Sequence, residues 1–397
     1  MIPPELYDEI KRENCIIFAG AGISTERKSN SGEPTFYEII KNECEFSSEL
    51  NPPFPEVMQH YCNIKDGGKK NLLIRQIIGR LESFLDGSEK EHTTTFTHLE
   101  IARNPFFRII VTTNWDTFFE RRLNVLVPMV EDRDIPFWDD KKRQILKIHG
   151  CVTRPYTMII TQNDYEDLIS SKMHSPVFTK LKDLMATKTF LFIGYSMRDP
   201  NIKMLFSDLS KSLGDFSRLS YAVDIDPSEE TIAEWKKNGV QIIKANAIAF
   251  SRDLNDMLVS EKLIPDPDVV DCYHCQLNGI SQIHFKDCEN QGEKFLTTMY
   301  QDGVLHELDY ILFNSKYGVK ISDLKDRLKR LRRDLARIER FYKNSEKNEK
   351  KSQDAEIIEK EQTRQMNIVV DIAYLDGRIE VLSRFLRGTT EPIPSEW

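Results

Sequence analysis

From residue 1 to about 260 the chain alternates short apolar runs with stretches of helical period. The runs are Ile16–Ala19, Arg108–Thr112, Ile145–His149, Thr189–Ile193, Ser220–Asp224 and Val240–Lys244, most of them rich in Ile, Val and Phe on successive residues rather than on alternate ones. That is how strands buried on both faces of a parallel sheet read. Between them, Leu73, Ile77, Leu81 and Phe84 or Leu85 recur at helical spacing, as do Ile202, Leu205, Leu209 and Leu213. Two more helices are predicted around Asp164–Ser170 and Val177–Ala186. Strands alternating with helices predict an α/β chain with a doubly wound parallel sheet, whose ligands sit at the carboxyl ends of the strands.

The pattern breaks at Ile264-Pro265-Asp266-Pro267-Asp268, which reads as a linker. After about residue 292 the chain turns helical. Ile321, Leu324, Leu328, Leu331, Leu335, Ile338 and Phe341 or Tyr342 step by threes and fours, and so do Ile368, Ile372, Leu375, Ile379, Leu382 and Phe385 or Leu386. Lys343–Lys351 between them is polar, which predicts an antiparallel coiled-coil hairpin. The expected division is therefore a catalytic domain over 1–262, a linker with a Cys/His cluster over 263–291 and a helical assembly domain over 292–397. An apolar seam must pack on its partner helix or on another chain, so a homo-oligomer is expected.

Charge narrows the partners. A net charge of −8 over 397 residues argues against coating of nucleic acid by the whole chain, though not by a local patch. Such a patch exists: residues 320–342 hold nine Lys or Arg against four Asp or Glu. The plainer reading is the solvated face of a helix; the other is a surface for nucleic acid or an acidic partner, though no aromatic residues interleave with the basic ones to stack on single strands. The chain has no apolar run near 20 residues and begins Met-Ile-Pro-Pro-Glu, so neither a membrane span nor a secretory leader is expected. Seven cysteines, several widely scattered, suit the reducing cytoplasm. Cys272, Cys275, His284 and Cys288, with His274 nearby, have the residue types for structural zinc, but their spacing matches no specific ligand pattern; a reduced-thiol loop is the plainer reading. No metal ligand is assigned.

The chemistry concentrates at the strand ends. The first strand runs into Gly20-Ala21-Gly22-Ile23-Ser24, a turn whose glycines let backbone approach a pyrophosphate. A hydride-transfer site fits poorly, because the third glycine of the dinucleotide fingerprint is replaced by Thr25 and a polar, turn-rich stretch, Glu26–Pro34, follows. The second strand ends in Thr113-Asn114-Trp115-Asp116, the third in His149-Gly150, the fourth in Gly194-Tyr195-Ser196 and the fifth in Asp224-Ile225-Asp226. On a doubly wound sheet these ends converge on one crevice. Each has a plainer reading: Asn114 and Asp116 as caps of the next helix, Asp199 before Pro200 likewise, and His149 as a satisfied core histidine.

Taken together, Gly20–Ser24, Thr112–Asp116, Ile148–Gly150, Gly194–Ser196 and the turn Lys244-Ala245-Asn246-Ala247 resemble the motifs of the sirtuin superfamily, over roughly residues 10–260. The resemblance implies a Rossmann-like core that consumes NAD as a substrate, and the second and fourth motifs are most similar to bacterial sirtuin-like proteins of phage defence, which deplete NAD. It implies His149 as general base, Asn114 on the ribose hydroxyls or the attacking water, and Asp116 orienting nicotinamide or stabilising positive charge. Gly20, Ala21, Gly22, Ser24 and Thr113 would hold the dinucleotide, with Gly194, Tyr195 and Ser196 along it and Asp224 or Asp226 nearer the adenosine. The four-cysteine zinc module usual after the His-Gly motif of protein deacylases is missing, since Cys151 stands alone. Water is then the expected acceptor, making an NAD glycohydrolase. A protein deacylase or ADP-ribosyltransferase and a non-catalytic NAD or ADP-ribose sensor are the alternatives. A HerA-type ATPase partner is a further implication of the resemblance.

Overall fold

The computed structural model describes residues 2–24, 36–46, 52–86, 96–125, 127–168, 170, 174–195, 200–214, 217–273, 275–276, 295–316, 318–349 and 355–394. Two compact units divide the chain, Met1–Leu254 and Asn255–Trp397.

In the first unit, α1 (Pro4–Lys11) leads into β1 (Cys15–Ala19). Helices α2 (Phe36–Glu43), α3 (Phe54–Lys65), α4 (Asn71–Asp86) and α5 (Phe96–Arg103) precede β2 (Ile109–Thr112). Then follow α6 (Phe118–Leu123), β3 (Gln144–Lys147), α7 (Gln162–Asp167), α8 (Pro176–Thr187) and β4 (Thr189–Ile193). The unit continues with α9 (Pro200–Leu213), β5 (Ser220–Asp224), α10 (Glu229–Lys237) and β6 (Val240–Lys244), and α11 (Ala247–Ser260) runs across the division after Leu254.

The six strands form one sheet in the order β3-β2-β1-β4-β5-β6, and every pairing is parallel. This is the Rossmann-like order, with the chain reversing direction across the sheet between β1 and β4. Ile17 registers with Ile110 on one side and Leu191 on the other. β1 and β4 are buried along their whole length, which explains their unbroken apolar sequences. Phe18, Phe190, Phe192 and Trp235 pack on one face, with Phe192 and Trp235 centred 4.9 Å apart.

β4, β5 and β6 coincide with the predicted runs. β3 ends at Lys147, two residues before the predicted end, because the chain must turn at Gly150. There φ is +86°, and a Cβ would meet the Thr157 carbonyl oxygen at 2.3 Å.

In the second unit, α12 (Phe295–Lys316), α13 (Ile321–Glu349) and α14 (Ala355–Arg387) enclose a core that includes Val304, Leu308, Leu324, Leu331, Ala373 and Leu382. Two expectations change here. The polar stretch 343–349 is helical, extending α13 to Glu349, and the predicted hairpin is part of a three-helix packing with α12. A buried ion triad ties the helices: Glu307, fully buried, accepts from Arg327 Nε (2.5 Å) and Arg378 Nε (3.1 Å). α12 and α14 approach closely at two glycines. A Cβ on Gly303 would lie 2.0 Å from the Tyr374 carbonyl oxygen, and one on Gly377 2.1 Å from that of Tyr300. Gly303→Ala and Gly377→Ala are each expected to destabilise the helical unit by about 1–3 kcal/mol, despite alanine's better helix propensity; chemical unfolding followed by circular dichroism checks this. Among the described residues no helix is long and apolar enough to cross a membrane.

Candidate active site

The turn after β1 is built against the end of β4. Gly20 donates its N–H to the Ile193 carbonyl (3.0 Å) and Gly22 to that of Gly194 (2.8 Å). A Cβ on Gly20 would meet the Gly194 oxygen at 2.4 Å, and one on Gly194, whose φ is +61°, would meet the Ile23 nitrogen at 2.3 Å. The glycines are therefore required by backbone packing across the reversal point as well as by any ligand. The chain passes through a short 3-10 turn, Ala21–Ser24, in which Ala21 and Gly22 are exposed and Ser24 is half-buried.

β2 delivers Asn114 and Asp116 to this turn, both buried. Asn114 Nδ2 donates to the Gly20 carbonyl (3.1 Å) and to Ser24 Oγ (3.3 Å). Ser24 Oγ donates to Asp116 Oδ2 (3.2 Å). The Asn114 backbone N–H is held by Thr112 Oγ1 (3.0 Å), and Thr113 donates its N–H to the Ala19 carbonyl (3.3 Å). Residues some 90 positions apart thus form one hydrogen-bonded cluster across β1 and β2. Asn114 Oδ1 is buried with no hydrogen-bond partner among the described residues, a state that is costly unless a donor arrives. Asp116 also meets the plainer expectation, since its Oδ1 accepts from the Phe118 N–H (3.1 Å) at the start of α6.

His149 lies just beyond β3, the strand adjacent to β2. Its side chain is buried, with its ring edge-on to Tyr165 of α7 at 5.4 Å, and its carbonyl accepts from the Ile159 N–H (3.0 Å). α7 is fixed in turn by Asp164, whose carboxylate pairs with Lys70 Nζ (2.7 Å). Burial opposes ionisation of that carboxyl, yet Lys70 and the N–H groups of Thr161 and Ile160 hold it below the usual carboxylate range.

The remaining predicted residues are less closely joined. Tyr195 packs edge-on against Phe18 at 4.7 Å, so much of its ring belongs to the core. Asp224 accepts from the Asp226 N–H (3.2 Å), and Asp226 pairs with Lys244 at 3.2 Å on the exposed surface. These two serve the β5–β6 end and make no contact with the Ser24–Asn114–Asp116 cluster. Ser196, Asp199 and the stretch Glu26–Pro34 lie outside the described residues, as do His274, His284 and Cys288. Cys272 donates to the Thr390 carbonyl at 3.5 Å and Cys275 is exposed. Among the described residues no group of three or more His, Cys, Asp or Glu is placed to hold a metal ion.

Three residues beneath the cluster escaped the sequence reading. Lys147, the last residue of β3, is 1% exposed and pairs with Glu120 Oε1 of α6 at 3.0 Å. It also donates to the Asp116 carbonyl oxygen. Burial raises the Glu120 carboxyl above its ordinary range, with Lys147 opposing the rise. His98 of α5 is fully buried with its ring centred 4.5 Å from that of Phe119, and among the described residues neither ring nitrogen has a hydrogen-bond partner. Burial, aided by Arg122 and Lys147 and opposed by Asp116, pushes its pKa down to about 4.

Between pH 4 and 6.5 the unfolded chain binds the His98 proton and the folded chain does not, so stability falls as pH drops through that window. The loss is about 3 kcal/mol, and His98→Phe is expected to remove this part of the pH dependence in urea unfolding measured at several pH values.

Residues 108–243 match the family described as the SIR2-like domain; β1 and its turn precede the matched segment. The chain is 30% identical over 220 residues to the NAD(+) hydrolase ThsA of Bacillus cereus (strain MSX-D12), covering 54% of this chain and 44% of that protein. It is 26% identical over 224 residues to the NAD(+) hydrolase ThsA of Enterococcus faecium, with the same coverage. It is 22% identical over 316 residues to the defense-associated sirtuin 2 of Bacillus subtilis, covering 71% of this chain and 29% of that protein. The chain spans less than half the length of each of these relatives. The segment similar to the SIR2-like domain runs from β2 into β6, the part of the sheet whose strand ends carry Asn114, Asp116 and His149.

Proposed function

We propose that the chain is an NAD glycohydrolase that cleaves NAD to nicotinamide and ADP-ribose, as a gated effector of antiphage defence by NAD depletion. The observation that carries this reading is the Ser24–Asn114–Asp116 cluster on neighbouring strand ends, with the Asn114 Oδ1 acceptor buried and unused among the described residues. Similarity to the NAD(+) hydrolases ThsA supports the same chemistry.

In this reading Gly20, Ala21, Gly22, Ser24 and Thr113 hold the dinucleotide at the end of β1, and Gly194 and Tyr195 line its path at the end of β4; Ser196, outside the described residues, is expected to join them. Asp224 or Asp226 lies towards the adenosine. Nicotinamide carries a positive charge on its ring, so it needs no general acid. The bond from its nitrogen to ribose C1′ breaks, the electron pair leaves with the now neutral base, and positive charge develops on the ribose. Water forms the new bond to C1′ and gives its proton to His149, which releases it to solvent. Both Nδ2 hydrogen bonds of Asn114 are spent on Gly20 and Ser24, so its Oδ1 takes the ribose hydroxyl or the attacking water. Asp116 fixes the Ser24 hydroxyl and stabilises the charge on the ribose.

The helical unit serves assembly, as a homo-oligomer and as the dock for a HerA-type ATPase that sets the gate. Incubation of the purified chain with NAD, with and without an acetylated peptide and with and without such a partner, tests the proposal. Nicotinamide and free ADP-ribose without peptide are expected. Turnover that requires the peptide would instead identify a deacylase.

A further inference from the structure

The basic stretch of α13 is sorted by face. Leu324, Leu328, Leu331, Leu335 and Ile338 pack on the core of the helical unit. With about 100° between successive residues, Lys329, Arg330, Arg333, Arg337 and Arg340 fall on the opposite side of the helix, and all five are exposed. They form a ridge about 16 Å long. One acidic residue, Asp326, shares that face and pairs with Lys329 at 3.2 Å, an exposed pair of little strength. Among the described residues Arg330, Arg337 and Arg340 have no ion-pair partner.

A helix that merely needed solubility would mix both signs on its outer face. Segregation of four arginines and a lysine there, on a chain of net charge −8, instead concentrates a positive field within one or two screening lengths.

We infer that this ridge of α13 is a docking surface for the phosphate backbone of double-stranded nucleic acid. Charge complementarity selects a polyanion, and the planar forked guanidinium suits phosphate oxygens. Two absences among the described residues select the duplex. Between Lys329 and Arg340 no large hydrophobic side chain is exposed, so the face lacks the apolar centre of a protein–protein interface. It also has no aromatic side chain on which unpaired bases could stack. The contacts proposed are to the phosphate backbone, which positions a protein on the duplex and carries no sequence information.

Fluorescence anisotropy of the full chain with a labelled duplex DNA of mixed sequence, and in a second arm a duplex RNA, tests this over a range of salt. Binding is expected to weaken with salt with a log–log slope of about −4. Arg330→Glu/Arg333→Glu/Arg337→Glu is expected to weaken binding by about tenfold or more and to make the slope shallower by about 3. Its melting temperature stays unchanged, because the apolar seam is untouched. Binding of either duplex with these changes supports the inference, and the better-bound arm identifies the source of the phosphates. Failure to bind both duplexes at low salt overturns it. So does a triple variant that binds like the parent, or a chain that binds polyglutamate as tightly as either duplex.

Discussion

Replacing Asn114 by alanine is expected to lower kcat for NAD hydrolysis by about 10²–10³-fold, the range seen when one polar group aimed at a developing charge is removed. His149→Ala is expected to fall in the range for a general base, about 10²–10⁴-fold. The two losses differ in origin. Asn114 holds the Gly20 carbonyl and Ser24 Oγ together, so its removal frees the hydroxyl that Asp116 accepts from and loosens the turn that holds the dinucleotide; KM rises with the fall in kcat. His149 is anchored through its own carbonyl and the packing of its ring on Tyr165, so His149→Ala lowers kcat with little change in KM. Nicotinamide release by chromatography measures both, and thermal unfolding separates chemistry from misfolding. Unchanged NAD loss in either folded variant would remove that residue from the catalytic set.

The sequence makes the sheet legible because burial on both faces forbids alternation. β1 and β4 have almost no choice but runs such as Cys-Ile-Ile-Phe-Ala and Thr-Phe-Leu-Phe-Ile. Asn114, Asp116 and His149 stand out for the complementary reason, as polar residues placed where an apolar run stops. Tertiary constraints are harder to see. The same Gly20-Ala21-Gly22 that reads as a phosphate cradle is also fixed by the Gly194 backbone, some 170 residues away, and no local pattern marks that approach. Lys147 is a lone charge inside the predicted run Ile145–His149, and only its partners Glu120 and Asp116 explain why it is buried. The polar stretch 343–349 reads as a connector because its apolar seam has ended, but Lys and Glu are good helix formers and carry the helix on. Gly303 and Gly377 left a fainter signal: glycine inside a strongly helical pattern marks a place where backbones meet.

Lys147→Met is expected to cost about 3–5 kcal/mol of stability, the range for removing one partner of a buried ion pair. Methionine matches the lysine stem in volume, so the loss is electrostatic rather than a cavity effect. It arises because the Glu120 carboxylate stays in α6, desolvated and without its cation, and because the Asp116 carbonyl loses a donor. The sign of the pH dependence distinguishes this from general damage. Glu120 already titrates above its ordinary 4.5, and without Lys147 it is pushed higher. As pH rises from 4.5 through that raised value, the unfolded chain ionises before the folded one, so stability is lost; the deficit of Lys147→Met is therefore smallest in mild acid and largest near neutrality. Adding Glu120→Gln removes the stranded charge and is expected to recover part of the loss, with a coupling energy of about 1–3 kcal/mol in a double-mutant cycle. It does not replace the donor to Asp116. Lys147 spans the end of β3, which carries His149, and the loop after β2, which carries Asn114 and Asp116. The double variant should therefore regain stability and remain slow in NAD hydrolysis, whereas a purely structural lysine would return both together.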